Sequence, residues 1–396
     1  MAKICLISKY PPIEGFVSSY AYWLARGLGR RGIEVHVITN AEEVDDNYKA
    51  KIDKQDDERA PRNVTLHDTC FTPEQGHIPP SDLYVEKMAS LGIEAVKDNN
   101  LDLIDSRYLV PYGVSAFLCK IATNKPLVVR HAGSDLERLL HSEYLNALCV
   151  EVLRRADKVV STPVFVALLN SLGVTNDKIA VLQETVDPTV FSPRARPFEL
   201  SRYVPGKLHE NVPVVTYVGK TFRNKGLFQL IKALHGLRKM KFTLLILSQA
   251  GQAGTLKRLI REARLEERTI VLGFVPPWKM PSIYKISTCV VTAEFGSPIH
   301  HVPIVPREAI AVQRCVVLSK DVHRLGVYPL LADEISMLEV DPTRLGDFTR
   351  KIKKVITDPD YAEGLGKNAW QRFRKIEDFE GYITENINLY ESLLRQ

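Results

Sequence analysis

Residues 4–8 read Ile-Cys-Leu-Ile-Ser, apolar until the closing serine. So short and apolar a run fits a strand buried on both faces of a parallel sheet, because a half-exposed strand would alternate with polar residues. The period then changes. From residue 16 onward, Phe16, Tyr20, Leu24 and Leu28 recur at helical spacing with Val17, Ala21 and Ala25 beside them, and Gly32 fits a helix C-cap. Residues 33–39, IEVHVIT, return to a strand. Strand, helix, strand in that order predicts a parallel unit with a right-handed crossover.

The alternation continues with strands expected at 64–70, 101–107, 126–133, 155–162 and 178–185 and helices at 82–100 and 113–124. It breaks at 191–212, a proline-rich stretch of mixed charge without periodicity, and restarts at Val214. Strands are then expected at 214–219, 242–248, 268–273, 289–294 and 315–319, with helices between them. The pattern predicts an α/β protein with a Rossmann-like domain at 1–190, a linker at 191–212 and a second such domain at 213–375. A final helix at 376–396 carries enough apolar residues, Phe379, Tyr382, Ile383, Tyr390 and Leu393 among them, to pack back on the first domain.

Composition narrows the class. The 396 residues, 45% hydrophobic and 25% charged, can bury two cores and show no disordered or fibrous signature. A formal charge of +6 is mild, and no nucleic-acid motif is present. The six cysteines, Cys5, Cys70, Cys119, Cys149, Cys289 and Cys315, lack C-x-x-C spacing, which points to reduced thiols and a cytoplasmic setting. No apolar run reaches the ~18 residues of a membrane span. Arg26, Arg30 and Arg31 near Tyr22 and Trp23 offer one route to peripheral contact with the inner membrane face, the other reading being a helix with its basic side in water.

Four segments carry candidate chemistry. In 217–226, YVGKTFRNKG, Gly219 ends a strand, Lys220 and Lys225 stand five apart, and Gly226 precedes a helix; helix-end amides and ammonium groups suit a diphosphate. The Gly-x4-Gly-Lys-Ser/Thr order of a P-loop is missing. His131 follows a strand and precedes Gly133, Ser134 and Asp135, either of the last two serving as an N-cap. Gly15 sits between the first strand and helix, where a tight turn or a close ligand approach both ask for glycine. In 300–311, HHVPIVPREAIA, adjacent His300 and His301 would point apart and no cysteine or second carboxylate stands at ligand spacing, so no metal is expected. There Pro306 suits a first helical position and Glu308 a first turn.

Taken together, and in the same order along the chain, these segments resemble the retaining glycosyltransferases of the GT-B fold, in particular glycosyltransferase family four. The opening loop and helix, VVRHAGSD at 128–135, VVTYVGKTFRNKG at 214–226 and REAIAVQRCVVLS at 307–319 carry the resemblance. It implies two doubly wound Rossmann-like domains facing a central cleft, the first on the acceptor side and the second binding the donor. It further implies transfer of a sugar, with retention, from a UDP- or GDP-linked donor to a hydroxyl of a glycan, lipid or small molecule, without a metal or other cofactor. Lys225, helped by Lys220 where the family has arginine, would hold the diphosphate; Glu308 would bind the ribose; His131 would lie beside the transferred sugar; Gly15 would let the backbone approach a ligand. Phe16 stands where the family has a second glycine. Counting back eight from Glu308, to the family's other donor-site glutamate, reaches His300, and Glu294 fills that role only if the loop carries an insertion. Those departures leave a second reading, a noncatalytic GT-B relative that binds a nucleotide sugar and regulates. An epimerase of the same fold would bring further acid and base carboxylates, and none can be placed.

Overall fold

The computed structural model describes residues 2–50, 57–70, 84–204, 212–248, 253–296, 299, 303–325 and 328–395. The chain divides into two units: Met1–Lys49, Asp53–Glu184 and Glu380–Gln396 form one, and Ala50–Ile52 with Thr185–Phe379 the other.

The first unit holds a seven-stranded sheet of order β3-β2-β1-β4-β5-β6-β7, with β1 Lys3–Ser8, β2 Glu34–Thr39, β3 Val64–Asp68, β4 Leu103–Arg107, β5 Leu127–Arg130, β6 Lys158–Ser161 and β7 Ile179–Val181. All its pairings are parallel. Its helices are α1 Phe16–Arg30, α2 Tyr84–Asp98, α3 Val114–Thr123, α4 Ser134–Leu140, α5 Asn146–Arg155 and α6 Pro163–Ser171. Ile7, Ile104 and Val129 from the sheet pack with Met88, Val96, Cys119 and Val152 from the helices in one core, which is why β1 and β5 read as apolar runs over Ile4–Ile7 and Leu127–Val129.

The second unit repeats the plan with six parallel strands in the order β10-β9-β8-β11-β12-β13: β8 Val214–Val218, β9 Thr243–Leu247, β10 Thr269–Val271, β11 Cys289–Thr292, β12 Cys315–Ser319 and β13 Leu338–Val340. Around it lie α7 Leu227–His235, α8 Ala253–Glu262, α9 Met280–Ile286, α10 Val305–Ala311, α11 Lys320–His323, α12 Leu345–Thr357 and α13 Pro359–Phe373. The proline-rich stretch before β8 belongs to this unit. Phe191, Phe198 and Leu200 are buried in it, and the Phe198 amide donates to the Ser282 carbonyl at 3.1 Å.

The last helix, α14 Phe379–Leu394, returns to the first unit from Glu380 onward. Its Asn386 and Tyr390 meet Arg130 at the end of β5, at 2.7 and 3.0 Å. Arg30, which ends α1, and Arg31 just after it pair with Glu380 of α14. Tyr22 and Trp23, the aromatics that a membrane-facing α1 would expose, are 1% and 4% exposed. That helix face is core. No helix among the described residues is long and apolar enough to cross a membrane.

Candidate active site

In the second unit the chemistry gathers at the carboxyl ends of β8 and β11. The backbone turns sharply at Gly226, whose φ of 81° lies in the left-handed region, and a Cβ there would come within 2.1 Å of the Ala293 carbonyl oxygen. Glycine is therefore required twice over, by conformation and by space. This close crossing brings the loop after β8 against the loop after β11. The Phe295 amide donates to the Asn224 carbonyl at 2.9 Å, and the Lys225 ammonium reaches Glu294 Oε1 at 2.5 Å. Two more contacts fix the second loop: Ser319 Oγ donates to the Glu294 carbonyl, and the Gly296 amide donates to Asp321 at 3.0 Å. On the other side, Tyr217 Oη donates to the carbonyls of Lys220 and Lys225 at 2.7 and 3.3 Å, tying the lysine loop to β8. Gly219 begins that loop, and Lys220 is exposed with its ammonium 5.7 Å from the Phe222 ring centre.

Glu308 lies in α10, which starts at Val305, one residue before Pro306. It does more than face the helix start. The carboxyl is buried and accepts from Tyr284 Oη at 2.6 Å. Burial pushes its pKa up to about 7, and the tyrosine hydrogen bond only partly opposes this. Its neighbour Arg307, also buried, pairs with Glu377 at 3.3 Å and lies over the Phe373 ring. His300, expected as a sugar contact, lies outside the described residues.

The first unit carries a separate cluster at the ends of β1, β4 and β5. Gly15, at φ 103°, starts α1 in a conformation that side chains rarely adopt. His131 follows β5. Its Nδ1 accepts the Gly133 amide at 3.1 Å, which leaves the proton on Nε2 to donate to Ser161 Oγ at 2.8 Å. Burial lowers the His131 pKa to about 4; Asp135 opposes the shift and the Arg107 charge adds to it. Asp135 is no N-cap. It accepts amides from Ala132 and Leu136 at 2.8 and 2.9 Å and from Leu109 at 2.9 Å, and so locks the turn after β5 to the start of the segment after β4.

Sequence reasoning passed over Tyr284 and Arg107. Tyr284 reads as one apolar position in a helix, and its hydroxyl matters only because α10 ends up beside it. Arg107 closes β4, which also carries Asp105 and Ser106; three polar residues in a strand buried along its whole length were the signal available. Arg107 meets Glu184 through Nη2, and the rings of Phe16 and Tyr20 lie 5.8 and 5.4 Å from its guanidinium. Its buried Nε and Nη1 have no hydrogen-bond partner among the described residues, a condition that costs about 1–3 kcal/mol per group.

Comparison with known proteins decides the family. Residues 17–190 match the family model "Glycosyltransferase Family 4", and residues 204–372 match "Glycosyl transferases group 1". The chain belongs to the GT-B glycosyltransferases. Among curated relatives it is 26% identical over 386 residues to the D-inositol 3-phosphate glycosyltransferase of Gordonia bronchialis, covering 90% of this chain and 79% of that one. Two solved structures share the fold: the sucrose-phosphate synthase of Thermosynechococcus elongatus, with a TM-score of 0.69, 19% identity and full coverage of both chains, and Anabaena HepE in complex with UDP-glucose, with a TM-score of 0.69, 16% identity and coverage of 99% and 100%. The GT-B glycosyltransferase therefore has its family's two halves, one sheet to each.

Proposed function

We propose that this GT-B glycosyltransferase transfers a hexose, with retention and without a metal, from a UDP- or GDP-linked donor to a hydroxyl of a glycan, glycolipid or small glycoside. The observation that carries the reading is the Gly226 crossing, which presents Lys225, Glu294 and the first turn of α7 in one loop pair, beside the strand ends where doubly wound sheets bind ligands. The donor diphosphate takes Lys225, with Lys220 swinging in from the exposed side, and the two ammonium groups offset the charge that develops as the sugar–phosphate bond breaks. Glu308 accepts the ribose hydroxyls, and Glu294, released from Lys225 when the diphosphate arrives, accepts hydroxyls of the transferred sugar. Neutral His131 turns its Nε2–H from Ser161 to the sugar or to the incoming acceptor. Catalysis then rests on positioning and charge stabilisation, with the acceptor attacking from the face the diphosphate leaves.

A cytoplasmic enzyme working at the inner membrane face fits a lipid acceptor; a soluble acceptor fits equally. A panel of UDP- and GDP-sugars, read by binding and by donor hydrolysis, tests the reading and names the base. Lys225→Ala is expected to lower kcat/KM about 100- to 1,000-fold, the usual loss for one preorganised electrostatic contact. Donor binding without turnover on any acceptor would favour the noncatalytic alternative, and no binding to any member would sink both.

A further inference from the structure

Arg107 and Arg130 face each other in register at the ends of β4 and β5, each 3% exposed. Two buried guanidinium groups this close differ sharply in what holds them. Arg130 is satisfied: it donates to both oxygens of Asp105 at 2.7–3.0 Å, to Asn386 at 2.7 Å and to Tyr390 at 3.0 Å. Arg107 meets Glu184 through Nη2 alone, while its buried Nε and Nη1 lack a hydrogen-bond partner among the described residues.

A purely structural arginine would be completed as Arg130 is, or replaced by an apolar residue at no loss. Nη2 belongs to both forked edges of a guanidinium, so Glu184, by holding it, blocks each edge from bidentate use. The pair is accessible from one side. The Glu184 side chain is 26% exposed and that of Arg107 3%, so a solute displaces the carboxylate before it meets the cation. The rings of Phe16 and Tyr20 keep the guanidinium in place meanwhile. The Gly15 turn lies after the neighbouring β1 and His131 after the neighbouring β5, and the Arg107 charge is felt at the imidazole.

We propose that Arg107 is an oxyanion-recognition residue of the acceptor site, binding a carboxylate or phosphate carried by the acceptor in exchange for Glu184. The proposal rests on the glycosyltransferase reading, and it narrows the acceptor to an anionic molecule or anionic lipid headgroup held by the first unit.

The test uses the full chain with 15N-labelled histidine and follows the His131 ring signals during titration with inorganic phosphate and with acetate. Saturable movement is expected in the wild type, with at least tenfold tighter binding in Glu184→Gln and none in Arg107→Gln. If Arg107→Gln fails to fold, as judged by thermal unfolding, Arg107→Lys carries the test: it retains the charge but not the fork, and should bind at least tenfold more weakly than wild type. An unchanged response in the arginine variant, or no tightening in Glu184→Gln, overturns the proposal. Inositol monophosphate and phosphatidylinositol vesicles are the final arms. A response to the first alone assigns the oxyanion to a soluble acceptor, a response to the vesicles assigns it to a lipid, and silence toward every probe overturns the proposal. No nucleotide sugar is present, so a negative result leaves the donor reading intact, while failed donor binding leaves the oxyanion site standing and removes only its assignment to an acceptor.

Discussion

The two sheets end in different kinds of charge. In the second unit, Lys225 and Glu294 come from two separate loops and hold each other with side chains 22% and 9% exposed. In the first, Arg107, Arg130 and His131 stand at or just past the ends of strands, the two arginines almost wholly enclosed. Loop-borne partners can part when a stronger anion arrives, and each half then has a substrate group to bind. Strand-borne groups are already in place and give up little ordering entropy on binding, so their selectivity is set by what the fold leaves unsatisfied. Arg130 and Arg107 are equally buried and differ in the count of satisfied N–H groups, and that count is the ground on which the first is read as structural and the second as a binding group.

The largest effect that could break this contrast is at Arg130. Arg130→Leu leaves Asp105 fully buried without its cation, and the unfolding free energy should fall by about 3–5 kcal/mol, read from the denaturant midpoint at constant m. A loss under about 1 kcal/mol would mean that Arg130, with its contacts to Asp105, Asn386 and Tyr390, does not anchor α14 to the first sheet.

A smaller effect sharpens the second unit. Glu308 has a folded pKa of about 7 against an ordinary 4.5, raised by burial. The protonated carboxyl is favoured in the fold, so its contribution to stability is full below 4.5 and is lost as pH rises through about 7. On the proposed reading donor binding runs the other way, because ribose hydroxyls would donate to the carboxylate. Donor affinity should be full above pH 7 and fall by up to about tenfold per unit below it, with a flat profile in Glu308→Gln. An acid limb near pH 4.5 in the wild type would show that Glu308 is not the group bound.

The smallest effect is at Tyr284. Its hydrogen bond lowers the Glu308 pKa, so Tyr284→Phe should move the acid limb of donor binding upward, with about 0.5–1.5 kcal/mol lost in stability at low pH. An unmoved limb would remove Tyr284 from the site.

Much of the architecture was readable from local pattern. ICLIS, VVTYVG and CVVLS are legible as strands because each is a short apolar run bounded by polar, glycine or proline residues, and the helical spacing that follows the first two marks the crossovers they enter. The short β13 escaped, since Leu338–Val340 spans three residues and carries a glutamate at its centre. What local pattern could not reveal was pairing between distant parts of the chain. Tyr22 and Trp23 look like a surface feature on α1 because their burial is set by segments outside the helix, among them the loop after β1, whose Tyr10 ring lies 6.0 Å from that of Tyr22. Glu294 gained meaning only from Lys225, 69 positions away, and that contact depends on a backbone crossing invisible in either segment. Glu308 was legible as a helix-start carboxylate, whereas its raised pKa depends on the packing around α10.

Glu294 and Glu308 of the second unit stand fourteen positions apart, and each is moored on its own side. Glu294 is fastened by Lys225 and by Ser319 through its carbonyl; Glu308 is fastened by Tyr284, and the approach to α10 is held where Tyr328 Oη donates to the Pro303 carbonyl. Neither anchorage relies on the length of chain between them. A change in the length of that stretch therefore leaves both carboxylates in place, and with them the two contacts proposed for the donor.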